Sequence, residues 1–278
     1  MNPVPGFAGN QSFSVEAAIG RYLVKCGATD SVRAEAWVCD RVREEGVPAP
    51  AIVDVDLSKE QLPLAFLVME HVGGAPVDDS SSALETAGAH LRVVHAIELD
   101  GFGWLGASES GDRGTQPTWF DAMTEGTGSL AAVVDAGLLP ARTVADVERV
   151  VDRHRDILDA VQSACLLHGD FHPRHVFADD RRLCGIIDWG DATAGDPLFD
   201  LGRVLRSGRA ALDRMLVSYG PLPVGGDELE RRLQLYLCLW VASSVSWEFF
   251  AGPPWPPWFD LQNETLVACT AALATYSR

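Results

Sequence analysis

Lysine is almost missing from this chain. Of 278 residues only Lys25 and Lys59 are lysine, and 39 acidic residues against 22 basic ones leave a formal net charge of −17. Contact with a phosphate backbone needs Lys and Arg gathered on one face, and no such gathering occurs, which argues against nucleic acid as a partner. Cationic small molecules suit such a chain better. Cysteine is scattered: Cys26, Cys39, Cys165, Cys184, Cys238 and Cys269 include no C-x-x-C pair, and most sit in apolar stretches, where a reduced thiol acts as a small hydrophobe. Long apolar runs are absent too. The most apolar late stretch, "LQLYLCLWVASSVSWEFF", is broken by Gln234, serines and Glu248, so no membrane span is expected. The opening "MNPVPGFAGNQSF" has neither the positive nor the apolar region of a signal peptide. The expectation is a cytoplasmic protein with reduced thiols.

What is present is ample core material, 47% hydrophobic, in a length suited to two domains or one domain with two lobes. "SFSVEAAIGRYLVK" reads as two strands around a turn at Ala18 to Gly20. The helical pattern "DSVRAEAWVCDRVREEG" follows, with Asp30 as its expected cap and Gly46 at its end. "PAIVDVDL" and "LAFLVMEHV" read as strands. Beyond the Gly and Pro hinge "VGGAPVD" helical patterns dominate, among them one over 143–163 and another over 228–250. The expected architecture is α+β and bilobal, with a small sheet and one helix over 1–72 and a mostly helical lobe over 73–278.

The densest chemistry lies in "LLHGDFHPRHVF", residues 166–177. A multi-histidine metal centre is one reading. It would need further ligands from distant loops, and no histidine follows His175. Only His71, His90, His95 and His154 remain, the last three within helical patterns. A phosphotransfer loop asks for less. A kinase catalytic loop has the form H-x-D-x-x-x-x-N, in which the Asp takes the acceptor hydroxyl's proton and the Asn ligates a metal. His168 and Asp170 fit that form, and His175 stands at the last position. After a hairpin turning at Asp179 to Arg181, "GIIDWGD" drives a strand into the core and ends it on Asp188, a carboxylate placed for a divalent ion. "GFGWLG" at 101–106 matches G-x-G-x-x-G in letters, but it lacks the strand before and the helix after that a dinucleotide turn requires.

"LLHGDFHPRHVF" followed by "GIIDWGDATAGDPLFDLGRV" resembles the signature of the aminoglycoside phosphotransferase family, which has the bilobal protein-kinase-like fold. Residues 100–123 are similar to a segment of hygromycin B kinases. His175 replaces the family's usual Asn, as in macrolide kinases, which bears on metal preference. The resemblance implies transfer of the γ-phosphate of ATP or GTP to a hydroxyl of an antibiotic-like acceptor, an aminoglycoside or aminocyclitol, giving resistance by modification. Asp170 would be the catalytic base, and His175 and Asp188 would hold Mg²⁺ or Mn²⁺. Lys25, held by Glu35, would position the nucleotide phosphates. "GFAGNQSFS", with Gly9 and Ser12, would cover those phosphates, and Glu70 and Val72 would meet the base. Asp191, Glu248, Trp255 and Trp258 are expected on the acceptor side, and Asp196 and Asp200 as caps of the next helix. The chain is expected to act as a monomer. A metabolic kinase for an amino alcohol or sugar, or a nucleotide-binding regulator without turnover, are the rival readings.

Overall fold

A computed structural model describes residues 2–4, 11–125, 127–253 and 258–276. Strands β1 (Asn2–Val4), β2 (Gln11–Ala17) and β3 (Gly20–Gly27) lead into helix α1 (Thr29–Glu44). Then β4 (Ile52–Asp56) and β5 (Ala65–Glu70) complete an antiparallel sheet of order β1-β2-β3-β5-β4. The interior strands β3 and β5 pair from Tyr22–Glu70 to Gly27–Ala65, Lys25 facing Leu67. The expected cap of α1 is corrected. Ala28 occupies the N-cap without a side-chain bond, whereas Asp30 lies inside the first turn, where its charge complements the helix dipole and pairs with Arg33 at 3.1 Å. Gly46, at φ +78°, ends the helix as expected.

Helix α1 serves both lobes. Val32 closes a small core with Ala65, Leu67 and Met69 beneath the sheet. Ala34, Val38, Cys39 and Val42 join the large core shared with the C-terminal lobe. The apolar stripe read from the sequence is therefore split between two cores, and the helix is seated against both.

The stretch expected as a free hinge carries a short strand, β6 (Ala75–Pro76), which pairs with the C-terminal lobe. The helical lobe then runs through α2 (Ala83–Val94), β7 (Glu98–Leu99), β8 (Gly103–Trp104), α3 (Trp119–Thr124), α4 (Leu130–Asp135), α5 (Ala141–Arg153) and α6 (Arg155–Asp159). It continues with β9 (Ala164–Leu167), β10 (Val176–Asp179), β11 (Arg182–Ile186), β12 (Thr193–Gly195), α7 (Leu198–Leu205), α8 (Arg209–Tyr219), α9 (Gly226–Phe250) and α10 (Phe259–Leu273). β10, β11 and β6 form one sheet, and β7-β9-β12-β8 another. The single helix expected over 143–163 is two, broken at His154, whose fully buried ring turns to the carbonyl of Leu273 at 3.2 Å. Among the described residues no helix is long and apolar enough to cross a membrane.

Candidate active site

Strand β9 is buried at every position, "ACLL", and it delivers His168 and Asp170 just beyond its end. The loop that follows is held by α7. Asp200 is fully buried, and its carboxylate accepts from the backbone N–H of His168 at 2.8 Å and of Gly169 at 2.9 Å. His95 from α2 supports the same carboxylate at 3.0 Å, with Tyr219 2.7 Å from its other nitrogen. Burial alone would raise the Asp200 pKa, but the bonds from His95 and the loop outweigh it and hold the group ionised. Asp200 is thus a loop anchor, where a helix cap was expected. Pro197 holds the N-cap of α7, and Asp196, one residue before it, accepts from Leu198 N–H at 2.9 Å and from the Tyr236 hydroxyl at 2.6 Å. Gly169 turns the loop at φ +85°, and a Cβ there would fall 1.8 Å from the carbonyl oxygen of Asp191.

One helical turn beyond Asp200, Arg203 donates from Nε to Asp170 Oδ1 at 2.5 Å, and its guanidinium lies 3.9 Å from the centre of the Trp240 ring. Arg203 is 9% exposed, and a charged side chain so enclosed needs a partner. Residues three apart share a helix face, so α7 holds both the backbone and the carboxylate of the loop. From the sequence Trp240 reads as a core residue, and nothing there marks Arg203 beyond its i,i+3 spacing from Asp200.

His168 is buried, with Nε2 2.9 Å from the carbonyl of Ile187 and its ring 4.5 Å from that of Trp189. His175 closes a 3₁₀ turn over Pro173–His175. Its Nδ1 lies 3.0 Å from the carbonyl of Asp170, and its Nε2 lies 3.4 Å from Asp188 Oδ2. A ring that donates through Nδ1 presents a lone pair at Nε2, so imidazole nitrogen and carboxylate oxygen together could hold a divalent ion. Asp188 has left-handed backbone, φ 67° and ψ 61°, which turns its carboxylate out of β11's line.

Across the cleft, Lys25 joins the lobes. Its ammonium lies 2.8 Å from Glu35 Oε2 and 2.7 Å from Asp188 Oδ1. Burial works against the ammonium, yet the two carboxylates outweigh it and raise its pKa. Asp188, penalised by burial, is held well below the usual carboxylate range by Lys25 and His175. Gly190 leaves this cluster room, since a Cβ there would sit 3.4 Å from both Lys25 Nζ and Glu35 Oε2. Trp104, from the segment similar to hygromycin B kinases, donates to the Gly190 carbonyl at 3.1 Å.

The remaining expected residues are spread around this centre. Ser12 lies within β2, between Val4 and Lys25, in the body of the sheet and not in an open turn. Glu70 ends β5 opposite Tyr22, and Val72 packs at the lobe junction, its Cγ1 2.7 Å from where a Gly185 Cβ would be. Asp191 is exposed in the cleft. Although it is reached by solvent, the protein around it strips much of its hydration, and this, then the charges of Asp170 and Asp188, push its pKa up to about 7. Glu248 is engaged: both of its oxygens accept from Trp258 Nε1 at 2.8 Å. Gly9 and Trp255 lie outside the described residues.

A curated relative, hygromycin-B 4-O-kinase from Escherichia coli, is 22% identical over 211 residues, which are 70% of this chain and 58% of that protein. The chain thus spans less than two thirds of that relative's length. Among solved structures, aminoglycoside phosphotransferase APH(4)-Ia superposes with a TM-score of 0.74 at 17% identity, covering 99% of this chain and 93% of its own. A protein designated a fructosamine-3-kinase, from Thermobifida fusca YX-ER1, superposes at 0.73 and 22% identity, with the same coverage. The fold is the protein-kinase-like fold of these proteins, an antiparallel sheet with one helix followed by a mostly helical part. Residues 1–234 match the phosphotransferase enzyme family, APH, and the chain belongs to that family.

Proposed function

We propose that the protein transfers the γ-phosphate of ATP or GTP to a hydroxyl of a small molecule. The observation that carries this reading is the meeting of Lys25, Glu35 and Asp188 across the cleft, with His175 joining Asp188 to the Asp170 loop. Lys25, braced by Glu35, is the group for the nucleotide phosphates, and the junction at Glu70 and Val72 is the place for the base. His175 Nε2 and Asp188 Oδ2 are the donors for Mg²⁺ or Mn²⁺, an ion that neutralises phosphate charge when bound. Imidazole shifts that preference toward Mn²⁺, since Mg²⁺ favours oxygen.

Asp170 does the proton work. Arg203 holds Oδ1, so the carboxylate is fixed in orientation and Oδ2 is left to accept or orient the acceptor hydroxyl. Asp200 keeps the loop backbone in place beneath it. Alignment and charge neutralisation supply most of the acceleration, because phosphoryl transfer asks little covalent chemistry of the protein.

For the acceptor we favour an aminated compound of the aminocyclitol class. Asp191 stands in the cleft as a carboxylate, the net charge attracts cations, and APH(4)-Ia has been crystallised in ternary complex with ADP and hygromycin B. A metabolic acceptor is the second reading. It is favoured by Arg203 and Arg206, 3.9 and 5.7 Å from the Trp240 ring centre on the Asp170 side, and by the engagement of Glu248 with Trp258. Acceptor-dependent release of ADP or GDP over a panel of aminoglycosides, amino alcohols and ketosamines tests both. Asp170→Asn should lower kcat roughly a hundredfold or more with nucleotide affinity nearly intact. Wild-type turnover in that variant would remove Asp170 from the reaction.

A further inference from the structure

We infer that Asp170, His172 and His175 form a site for a transition-metal ion of the zinc class, which draws on the His175 ring in place of the ion that would accompany a nucleotide. The turn geometry creates it. In a 3₁₀ turn side chains three apart eclipse, and the turn over Pro173–His175 brings the His175 ring against that of His172, with ring centres 3.9 Å apart and planes tilted by 42°. One donor atom each from Asp170, His172 and His175 lies within 4.8 Å of the other two. Asp170 Oδ2 is 3.8 Å from His172 Nε2 and 3.9 Å from His175 Nδ1, while Oδ1 is taken by Arg203. The carboxylate therefore presents one free oxygen to two imidazoles.

Zinc takes nitrogen and oxygen donors at about 2.0–2.2 Å, so ligand atoms around it sit roughly 3.4 Å apart. Small side-chain rotations close the observed spacing to that value. All three side chains are partly covered, with 13–21% of their surface exposed, so an ion can enter and is then shielded. Two imidazoles and one carboxylate with an open fourth position suit zinc, and imidazole discriminates against Mg²⁺. Ligation through His172 Nε2 and His175 Nδ1 moves each ring's proton to its other nitrogen. The 3.2 Å bond that His172 Nδ1 accepts from Arg174 N–H and the 3.0 Å contact of His175 Nδ1 with the Asp170 carbonyl are then given up.

An ion here occupies the oxygen of Asp170 that the acceptor hydroxyl needs. Zinc-class ions should therefore inhibit phosphotransfer. This consequence rests on the kinase reading; the site itself does not.

The test uses the full chain without nucleotide, with Zn²⁺ alone in equilibrium binding and Co²⁺ as a visible probe. One equivalent should bind, with cobalt d–d bands and no sulfur charge-transfer band. His172→Asn keeps an acceptor for the turn and removes the imidazole, and it should weaken Zn²⁺ binding at least tenfold. Cys184→Ser should bind as the wild type does. Absence of stoichiometric binding, or equal binding by wild type and His172→Asn, overturns the site. In phosphotransfer assays at buffered free Zn²⁺, His172→Asn should need at least tenfold more zinc for half inhibition, and equal sensitivity overturns the inhibitory role. A protein that binds zinc as described but phosphorylates no acceptor defeats the kinase reading and leaves the site standing.

Discussion

Arg203 Nε and Asp170 Oδ1 lie 2.5 Å apart, joining α7 to the loop after β9, 33 residues earlier. The arginine is clamped on its other side by Trp240, so the carboxylate has a rigid charged support and not a mobile surface partner.

That support is testable. Arg203→Met keeps a long apolar side chain against Trp240 but removes the charged bond, and kcat should fall about 10- to 100-fold. The nucleotide KM should change little, because Arg203 is on the acceptor side. Arg203→Lys, with charge but no planar fork, should fall between the two. Steady-state kinetics decide it, and an unchanged kcat in Arg203→Met would show that Asp170 needs no such support.

The metal pair predicts a graded series. His175→Asn supplies an amide oxygen and should retain turnover with Mg²⁺, lowering the ratio of Mn²⁺- to Mg²⁺-supported rates. His175→Ala should weaken activity strongly, and Asp188→Ala should abolish it while also releasing Lys25 from one of its two carboxylates. Rates titrated against each metal check the series. Identical metal dependence in both alanine variants places the ion elsewhere.

Asp200 predicts a stability effect. Asp200→Ala leaves the N–H groups of His168 and Gly169 buried without their acceptor, and His95 without its carboxylate. The cost should be about 3–5 kcal/mol in urea unfolding, with part recovered in Asp200→Asn. A loss below about 1 kcal/mol would mean that the loop is held by other contacts.

Asp191 predicts a pH effect on acceptor capture. Its pKa is raised to about 7 by loss of hydration and by Asp170 and Asp188, so the group is neutral at pH 6 and charged at pH 8. For a cationic acceptor, kcat/KM should rise across that interval and fall with added salt. Asp191→Asn should flatten the part of the rise centred near pH 7. A profile identical in wild type and Asp191→Asn, or a preference for neutral acceptors without salt dependence, defeats the cationic-acceptor reading.

Much of the local framework was legible in the amino-acid sequence. The alternating and apolar runs of β2, β3 and β5 announced an antiparallel sheet, and Asp180 and Arg181 turn the β10–β11 hairpin as their residue types suggest. The helix pattern over 143–163 misled because burial of His154 against α10 overrides propensity at a single residue. The cap expected of Asp200 misled for a similar reason. A carboxylate in the first turn of a helix pattern looks the same in sequence whether it serves its own helix or a distant loop.

That His168, Asp170, His175 and Asp188 stand at strand ends or tight turns was legible in the sequence, because neighbours a few residues away dictate direction there. Only the tertiary structure decided what those groups touch. Lys25 and Asp188 are 163 residues apart, and Asp170 receives its support from α7 and Trp240. Turn and strand geometry is governed by short-range sterics and hydrogen bonding. The partner of a buried charge is chosen by which distant elements pack together, and that follows from the whole core.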